Sequence, residues 1–467
     1  MESLNFVIFG ITSNLAQIKL IPALYDLAEA NMLPANTNII GISRHPKDFR
    51  ELQDYFKEVL SQENRHHQHK IKPEVFEILT KNISHVAGHA EDAKLYRDLE
   101  DHLSKLNTNT EHANTIFYLA TYPELYEKIF SNLKNFGLNK SDKGWVRVII
   151  EKPIGNDLQS AKQLNNLLSE YFTEDQIYRL DHYLGKETLQ NILTFRFANN
   201  IFEHLINKDH IDHIQVSALE DFGIGQRGGY YDSVGALKDV GQNHQLQMVA
   251  FATMDRPLHF TSEEITKKRI EILKSLVPMP NKVVFGQYKG YKEEKNINPN
   301  SQTDTYYALK SEIENERFKG VPIYVRAGKK LKETVTEISI VFKATKPNVL
   351  IYRIQPNEGI VLKILTKKPG HTLELEETYM QFCYHDYGNA LPDAYERLIS
   401  DAINGDQTFF NHAEEVEAQW AFIDPLASQK TQVHEYGPGT WGPEEADKLI
   451  KEDGRSWLKP SNLFCKF

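Results

Sequence analysis

The chain has 467 residues, 40% hydrophobic and 25% charged, with a formal net charge of −10. A chain this long outgrows one core, so at least two domains are expected, and the acidic balance argues against nucleic acid or an anionic membrane as main partner. Two cysteines, Cys383 and Cys465, offer neither a disulfide framework nor metal-type spacing, and no apolar run is long enough to span a bilayer, so a reducing, cytoplasmic setting is expected.

In chain order, the first third alternates between β-rich runs and helical patterns. The runs are Leu4–Phe9, Asn38–Ile42, Thr115–Leu119 and Trp145–Ile150, and the helical patterns include Asn14–Ala30 and Pro123–Asn135. This is the signature of an α/β, Rossmann-type, doubly wound parallel sheet. The first strand runs into "GITSNLAQIK", where Gly10 permits a turn, Ser13 or Asn14 can cap the helix, and Lys19 leans back toward its N-terminus. Such an N-terminus favours phosphate, although one glycine is weak evidence by itself. After the second strand, "NIIGISRHPK" has no acid where NAD-binding folds place one about 20 residues beyond the loop. Arg44 stands there instead, suited to the 2′-phosphate of NADP or else a solvated surface charge. The run "VIIEKPIG" then puts Lys152, before a proline that fits a cis bond, at a strand's carboxyl end, where open α/β sheets bind ligands.

The remainder reads as an α+β domain with a large, mostly antiparallel sheet, so the expected division is a cofactor domain over 1–173 and a substrate and oligomerisation domain over 174–467. Its strands include His213–Glu220, Val321–Arg326, Ile338–Phe342 and Gly359–Lys363, and its helices Lys186–Phe202, Ser233–Thr253 and Ala394–Ile403. The polar runs Asn64–Lys70 and Glu293–Asp304 read as exposed loops.

Two stretches carry chemistry. In "YRLDHYLGKETLQ" a helix starts near Gly185, and His182, Tyr183 and Lys186 set three donors beside its positive end, a site for a phosphate monoester. Asp181 would be repulsive there without a cationic partner. In "SVGALKDVGQNHQLQMVAFAT" a helix would line up Ala236, Leu237, Val240, His244, Met248 and Phe251. A histidine on such a face is usually a satisfied core residue; as a general base it needs an orienting carboxylate, and Asp239 lies about 140° around an α-helix from it. Asp181 is the available alternative. No metal role is expected for His66, His67 and His69 or for His210 and His213.

These stretches, with "EKPIGNDLQSA", "VPIYVRAGKKL" and "DAYERLISDAINGD", resemble the glucose-6-phosphate dehydrogenase family, in order over nearly the whole chain. The resemblance implies oxidation of glucose 6-phosphate to 6-phosphoglucono-1,5-lactone, the first oxidative step of the pentose phosphate pathway, with NADP as cofactor and NAD as a secondary one. It makes His244 the general base and Asp181 its orienting carboxylate. It also gives the sugar phosphate to His182, Tyr183 and Lys186, the sugar hydroxyls to Glu220 and Asp239, and further substrate contacts to Lys19, Lys152 and Lys329. Gly10, Thr12, Ser13, Asn14 and Leu15 form the cofactor loop, with Arg44 on the 2′-phosphate and Lys152 between cofactor and substrate. A homodimer or homotetramer built through the large sheet is implied as well.

Three departures stand out. Ser13 and Asn14 replace a glycine and an aspartate of the family loop, "AQIK" thins a basic run, and Thr334 stands where relatives carry a second basic residue. Two rivals follow. A different sugar oxidoreductase would share Lys152 without needing the phosphate cluster, and a non-catalytic sensor would give no reason to keep Asp181 together with His244.

Overall fold

Strand β1 (Glu2–Phe9) is buried from Ser3 to Phe9 and pairs in parallel with strands on both sides, as expected where helices cover both faces of a sheet. The computed structural model describes residues 2–62, 70–108, 112–388, 391–430, 432–460 and 465; His66, His67 and His69 lie outside them. Two compact units result, the first comprising 1–155, 159–185 and 392–413, the second 156–158, 186–391 and 414–467.

The first unit is built on a six-stranded parallel sheet in the order β3-β2-β1-β4-β5-β6, with β2 Thr37–Ser43, β3 Ile83–Ala87, β4 His112–Leu119, β5 Val146–Glu151 and β6 Ile177–Leu180. The order reverses between β1 and β4, the crevice where such sheets take dinucleotides. The EKP run thus ends the fifth strand rather than the fourth, because β3, "ISHVA", was not read as a strand. The helix Ala394–Asn404 returns to this unit, its Leu398, Ile399 and Ala402 sharing a core with Leu24 and Tyr25 of the helix Ile21–Glu29. Its C-terminal carbonyls are met by Arg147, which donates to Ala402 O and Ile403 O at 2.8 Å each, a cation at the negative end of the dipole.

On that helix, burial pushes the Asp401 carboxyl up to about 7, with Asp406 adding to the rise and Arg397 opposing it. An acid raised in the folded state holds its proton more tightly folded than unfolded, so its contribution to stability falls as pH climbs from the ordinary aspartate range to about 7 and levels off above. Asp401→Asn is expected to raise Tm relative to wild type by more at pH 8 than at pH 5, the difference being equivalent to roughly 1–3 kcal/mol. Equal shifts at both pH values in a thermal melt would contradict this.

The second unit carries a ten-stranded mixed sheet in the order β15-β14-β13-β12-β7-β11-β10-β9-β16, with β8 beside β10. Its strands are β7 Ile211–Leu219, β8 Leu276–Val277, β9 Val283–Tyr288, β10 Tyr306–Ile313, β11 Ile323–Gly328, β12 Val335–Phe342, β13 Val349–Gln355, β14 Gly359–Lys367, β15 Leu375–Cys383 and β16 Val433–Tyr436. Only β7–β11 and β9–β16 pair in parallel. Glu337 and Arg353 stand opposite each other on β12 and β13 as a buried ion pair at 2.7 Å. Among the described residues no helix is long and apolar enough to cross a membrane.

Two expectations need correction here. The run from Glu293 to Asp304 is irregular but not wholly exposed: Asp304 is buried because its carboxylate accepts from Leu237 N at 2.8 Å and pairs with Lys430 at 2.7 Å. The two cysteines, expected to form no disulfide, are bonded to each other, with Cα atoms 5.3 Å apart across 82 residues of sequence. Cysteine usage therefore gives no argument for a reducing compartment.

Candidate functional site

In the first unit, Gly10 turns the chain out of β1 with φ +86°, where a Cβ would lie 2.4 Å from Ala120 O, so the turn tolerates only glycine. Of the two candidate caps, Ser13 serves: its Oγ accepts from Ala16 N at 3.1 Å. The hydroxyl that departs from the family loop is therefore turned toward the helix start. Tyr55 braces the loop by donating to Ile11 O at 3.1 Å. The turn leads into a π-helical segment, Ala16–Leu20, which holds Lys19; such wide turns recur at functional sites. Arg44 is exposed just past the end of β2. Strand order, glycine turn, capped helix start and exposed arginine together fit a dinucleotide whose phosphates meet the loop.

Lys152 follows β5, and its bond to Pro153 is cis. The neighbouring Glu151 is held by Tyr118, whose hydroxyl donates to Oε1 at 2.5 Å, and by Tyr395. Burial pushes the Glu151 carboxyl up to about 7 against the opposing effect of these two donors and of Lys152.

Tyr395 ties this group together. The Lys19 ammonium sits 5.7 Å from its ring centroid, His182 stacks on it at 6.3 Å with a 16° interplanar angle, and Asp393, two residues earlier, pairs with Lys19 at 3.1 Å. The motif containing Tyr395 was legible only as family likeness. Nothing in its spacing signals that a segment 374 residues beyond Lys19 folds back upon it.

Beyond β6, Asp181 is buried and accepts from Tyr183 N at 3.0 Å, closing a tight turn with Leu184 N on Asp181 O at 3.0 Å. Gly185 is required by close approach, since a Cβ there would fall 2.5 Å from Ala394 O.

In the second unit, Lys186 is the N-cap residue of the helix Glu187–Ala198, which begins slightly later than expected. The helix expected over Ser233–Thr253 is broken at Gly235 (φ +76°) and then continues as a π-helix, Leu237–Gln245, before the α-helix Leu246–Thr253. His244, 2% exposed, lies in the π segment. This changes the earlier geometry: bonds in a π-helix run from i to i+5, so Asp239 and His244 are separated by one turn rather than by 140° of an α-helix. Asp239 nevertheless directs its Oδ1 to Arg227 at 3.2 Å.

Glu220 at the end of β7 and Lys329 after β11 form an ion pair, with the ammonium also 5.4 Å from the rings of Phe222 and Tyr231. Thr334 is not idle, because it donates to Asp221 Oδ1 at 2.5 Å and accepts from Asp221 N at 3.0 Å. His213 is held by Asp212 and Gln215, which accounts for it within β7.

The family model "Glucose-6-phosphate dehydrogenase, NAD binding domain" matches residues 7–191, and the C-terminal domain model of the same family matches 193–458. A glucose-6-phosphate 1-dehydrogenase of Aggregatibacter actinomycetemcomitans is 40% identical over 494 aligned positions, covering 100% of this chain and 99% of that protein. One from Chlamydia muridarum is 39% identical, covering 97% and 96%. Among solved structures, the glucose-6-phosphate 1-dehydrogenase of Mycobacterium avium superposes with a TM-score of 0.87 at 32% identity, covering 99% and 100%. A glucose-6-phosphate dehydrogenase in complex with its substrate glucose 6-phosphate reaches 0.91 at 33%, covering 98% and 99%.

Proposed function

This chain belongs to the glucose-6-phosphate dehydrogenase family, and from that premise we propose that NADP is its cofactor, that His244 is its general base and that Asp181 steadies the imidazolium. It oxidises glucose 6-phosphate to 6-phosphoglucono-1,5-lactone with hydride transfer to a nicotinamide dinucleotide. When bound, the nicotinamide supplies the hydride acceptor.

The protein's share is to bind, orient and deprotonate. His244 takes the proton from the anomeric hydroxyl as the hydride leaves the same carbon, which requires a neutral imidazole facing the sugar. His182, Tyr183 and Lys186 hold the remote phosphate, and that binding energy fixes the reacting end. Glu220 and Asp239 accept from sugar hydroxyls; Lys19, Lys152 and Lys329 complete the substrate contacts. Gly10, Thr12, Ser13, Asn14, Leu15, Arg44 and Lys152 hold the cofactor. The working division is a cofactor domain over 1–173 and a substrate and oligomerisation domain over 174–467. The enzyme works in the cytoplasm as a homodimer or homotetramer.

What supports the reading is the short run between β6 and the helix Glu187–Ala198, in which Asp181, His182 and Tyr183 follow the strand and Lys186 is the helix's N-cap residue. The cofactor choice rests on Arg44, exposed beyond β2 with no acid beside it. Initial rates with glucose 6-phosphate should favour NADP over NAD. Arg44→Ala should raise KM for NADP by roughly 10- to 100-fold, the worth of a charge-assisted contact, and leave NAD little changed. An equal effect on both cofactors would remove Arg44 from the 2′-phosphate, and comparable rates on unphosphorylated glucose would remove the phosphate cluster from its role.

A further inference from the structure

We propose that Gln245, keyed by Tyr307, is a positioning residue for the reaction: it anchors the π-helix Leu237–Gln245 to the large sheet in the rotational setting that keeps His244 and Asp239 on one side of that helix. This rests on the reading of His244 as general base and of Asp239 as an acceptor from the sugar.

A π-helix is rare because the i→i+4 ladder of an α-helix is the favoured one, so its surroundings must hold it. The wide ladder is explicit where the segment ends, with Leu246 N donating to Gly241 O five residues back. At the level of Asp239 and His244 a side chain enters the ladder. Asn243 donates from Nδ2 to Asp239 O at 3.1 Å and accepts from His244 N at 2.6 Å, standing between the two backbone groups that a π ladder would join. A ladder opened in this way fixes rotation about the helix axis only weakly from within.

Gln245 fixes it from outside. Fully buried, it turns its amide onto three neighbouring strands: its Oε1 accepts from the Tyr307 hydroxyl on β10, and its Nε2 donates to Arg326 O on β11 at 2.8 Å and to Val216 O on β7 at 3.4 Å. The oxygen and both amide hydrogens are engaged, so neither an amide flip nor a rotation of the helix preserves the set. Gly241 seats the helix on the same phenol, since a Cβ there would lie 2.7 Å from Tyr307 Oη. At the opposite end the Asp304 carboxylate accepts from Leu237 N and its carbonyl from Ala236 N, both at 2.8 Å.

Without Gln245 the segment loses its C-terminal anchor and can relax toward α geometry, in which Asp239 and His244 diverge by about 140°. In the proposed roles, the base then no longer faces the anomeric hydroxyl. The proposed phosphate ligands, His182, Tyr183 and Lys186, lie outside this helix and keep their places. The effect therefore falls on kcat.

The test uses the full-length enzyme with glucose 6-phosphate and NADP. Gln245→Met keeps side-chain length and helix propensity while removing all three contacts; it should lower kcat about 10-fold or more, with KM for glucose 6-phosphate within about 3-fold of wild type. Tyr307→Phe removes one contact and should lower kcat about 3-fold. Ser311→Ala, on the same strand β10, deletes a buried bond to Val277 O at 2.9 Å and controls for general loosening of that strand, with kcat expected to stay at the wild-type value. Because Gln245 acts through His244, adding Gln245→Met to His244→Asn should lower kcat by less than about 2-fold further. The proposal is overturned by wild-type kcat in both folded variants, by an equal loss in Ser311→Ala, or by the full Gln245→Met loss recurring on top of His244→Asn. Should Gln245→Met not fold, Tyr307→Phe decides by the same comparisons. If His244→Asn lowers kcat and the Gln245 and Tyr307 variants do not, the positioning role alone is lost; if His244→Asn leaves kcat unmoved, the general-base reading fails and takes the positioning role with it.

Discussion

His244→Asn is expected to lower kcat by about 10²- to 10⁴-fold, the usual contribution of a positioned general base, while KM for glucose 6-phosphate stays within a few-fold of wild type. The split follows from where the residue acts. His244 is 2% exposed within the π-helix Leu237–Gln245; in the proposed role it takes a proton only as the transition state forms, so its loss should leave ground-state binding of the phosphate largely intact. Asparagine keeps a polar side chain of similar reach and does not open a large cavity. Initial rates across substrate concentration, with a fluorescence titration of sugar phosphate in the variant, make the measurement. Retention of a tenth of wild-type kcat would dismiss His244 as the base.

The second large effect is on stability. Behind the helix that follows His244, Arg269 and Glu415 form a fully buried ion pair, 2.8 Å from Nε to Oε1, and Arg269 also donates to Oε2 at 3.0 Å. Gln247, three residues past His244, donates to the same carboxylate at 3.1 Å, and the Arg269 guanidinium lies 5.1 Å from the Phe251 ring centroid. Removing one member of such a pair strands a charge in a low-dielectric interior. Glu415→Ala should therefore cost about 3–5 kcal/mol in urea unfolding. The double replacement Arg269→Met with Glu415→Leu removes both charges and should recover much of that loss. If Glu415→Ala costs under about 1 kcal/mol, the pair is not holding this helix.

How much was legible in the sequence divides along physical lines. Short apolar runs such as "FVIF" of β1 and "IFYL" of β4 declared themselves, and Gly10 marked the turn from strand to helix. β3 and β6 did not: "ISHVA" has too few apolar positions for alternation, and "IYRL" spans only four residues, so the parallel sheet was read with fewer strands than it has. The residues around Asp181 and His244 were readable because each motif is local. The geometry of Asp239 relative to His244 was not, because residue patterns in a segment this short do not distinguish a π-helix from an α-helix. The pairings of Lys19 with Asp393 and of Cys383 with Cys465 join distant parts of the chain, and only the folded topology brings them together.

The return of residues 392–413 to the first unit bears on how the chain is made. Ribosomes deliver roughly 5–20 residues each second, so after Gly185 has been synthesised about 10–40 s pass before the helix Ala394–Asn404 exists. During that interval the nascent parallel sheet lacks Leu398, Ile399 and Ala402, and the face of Leu24 and Tyr25 that they cover stands open. The first unit therefore cannot finish folding as it leaves the ribosome. Its completion waits for most of the second unit to be translated, and a fragment ending before Pro392 would leave that apolar face uncovered, open to self-association or chaperone capture.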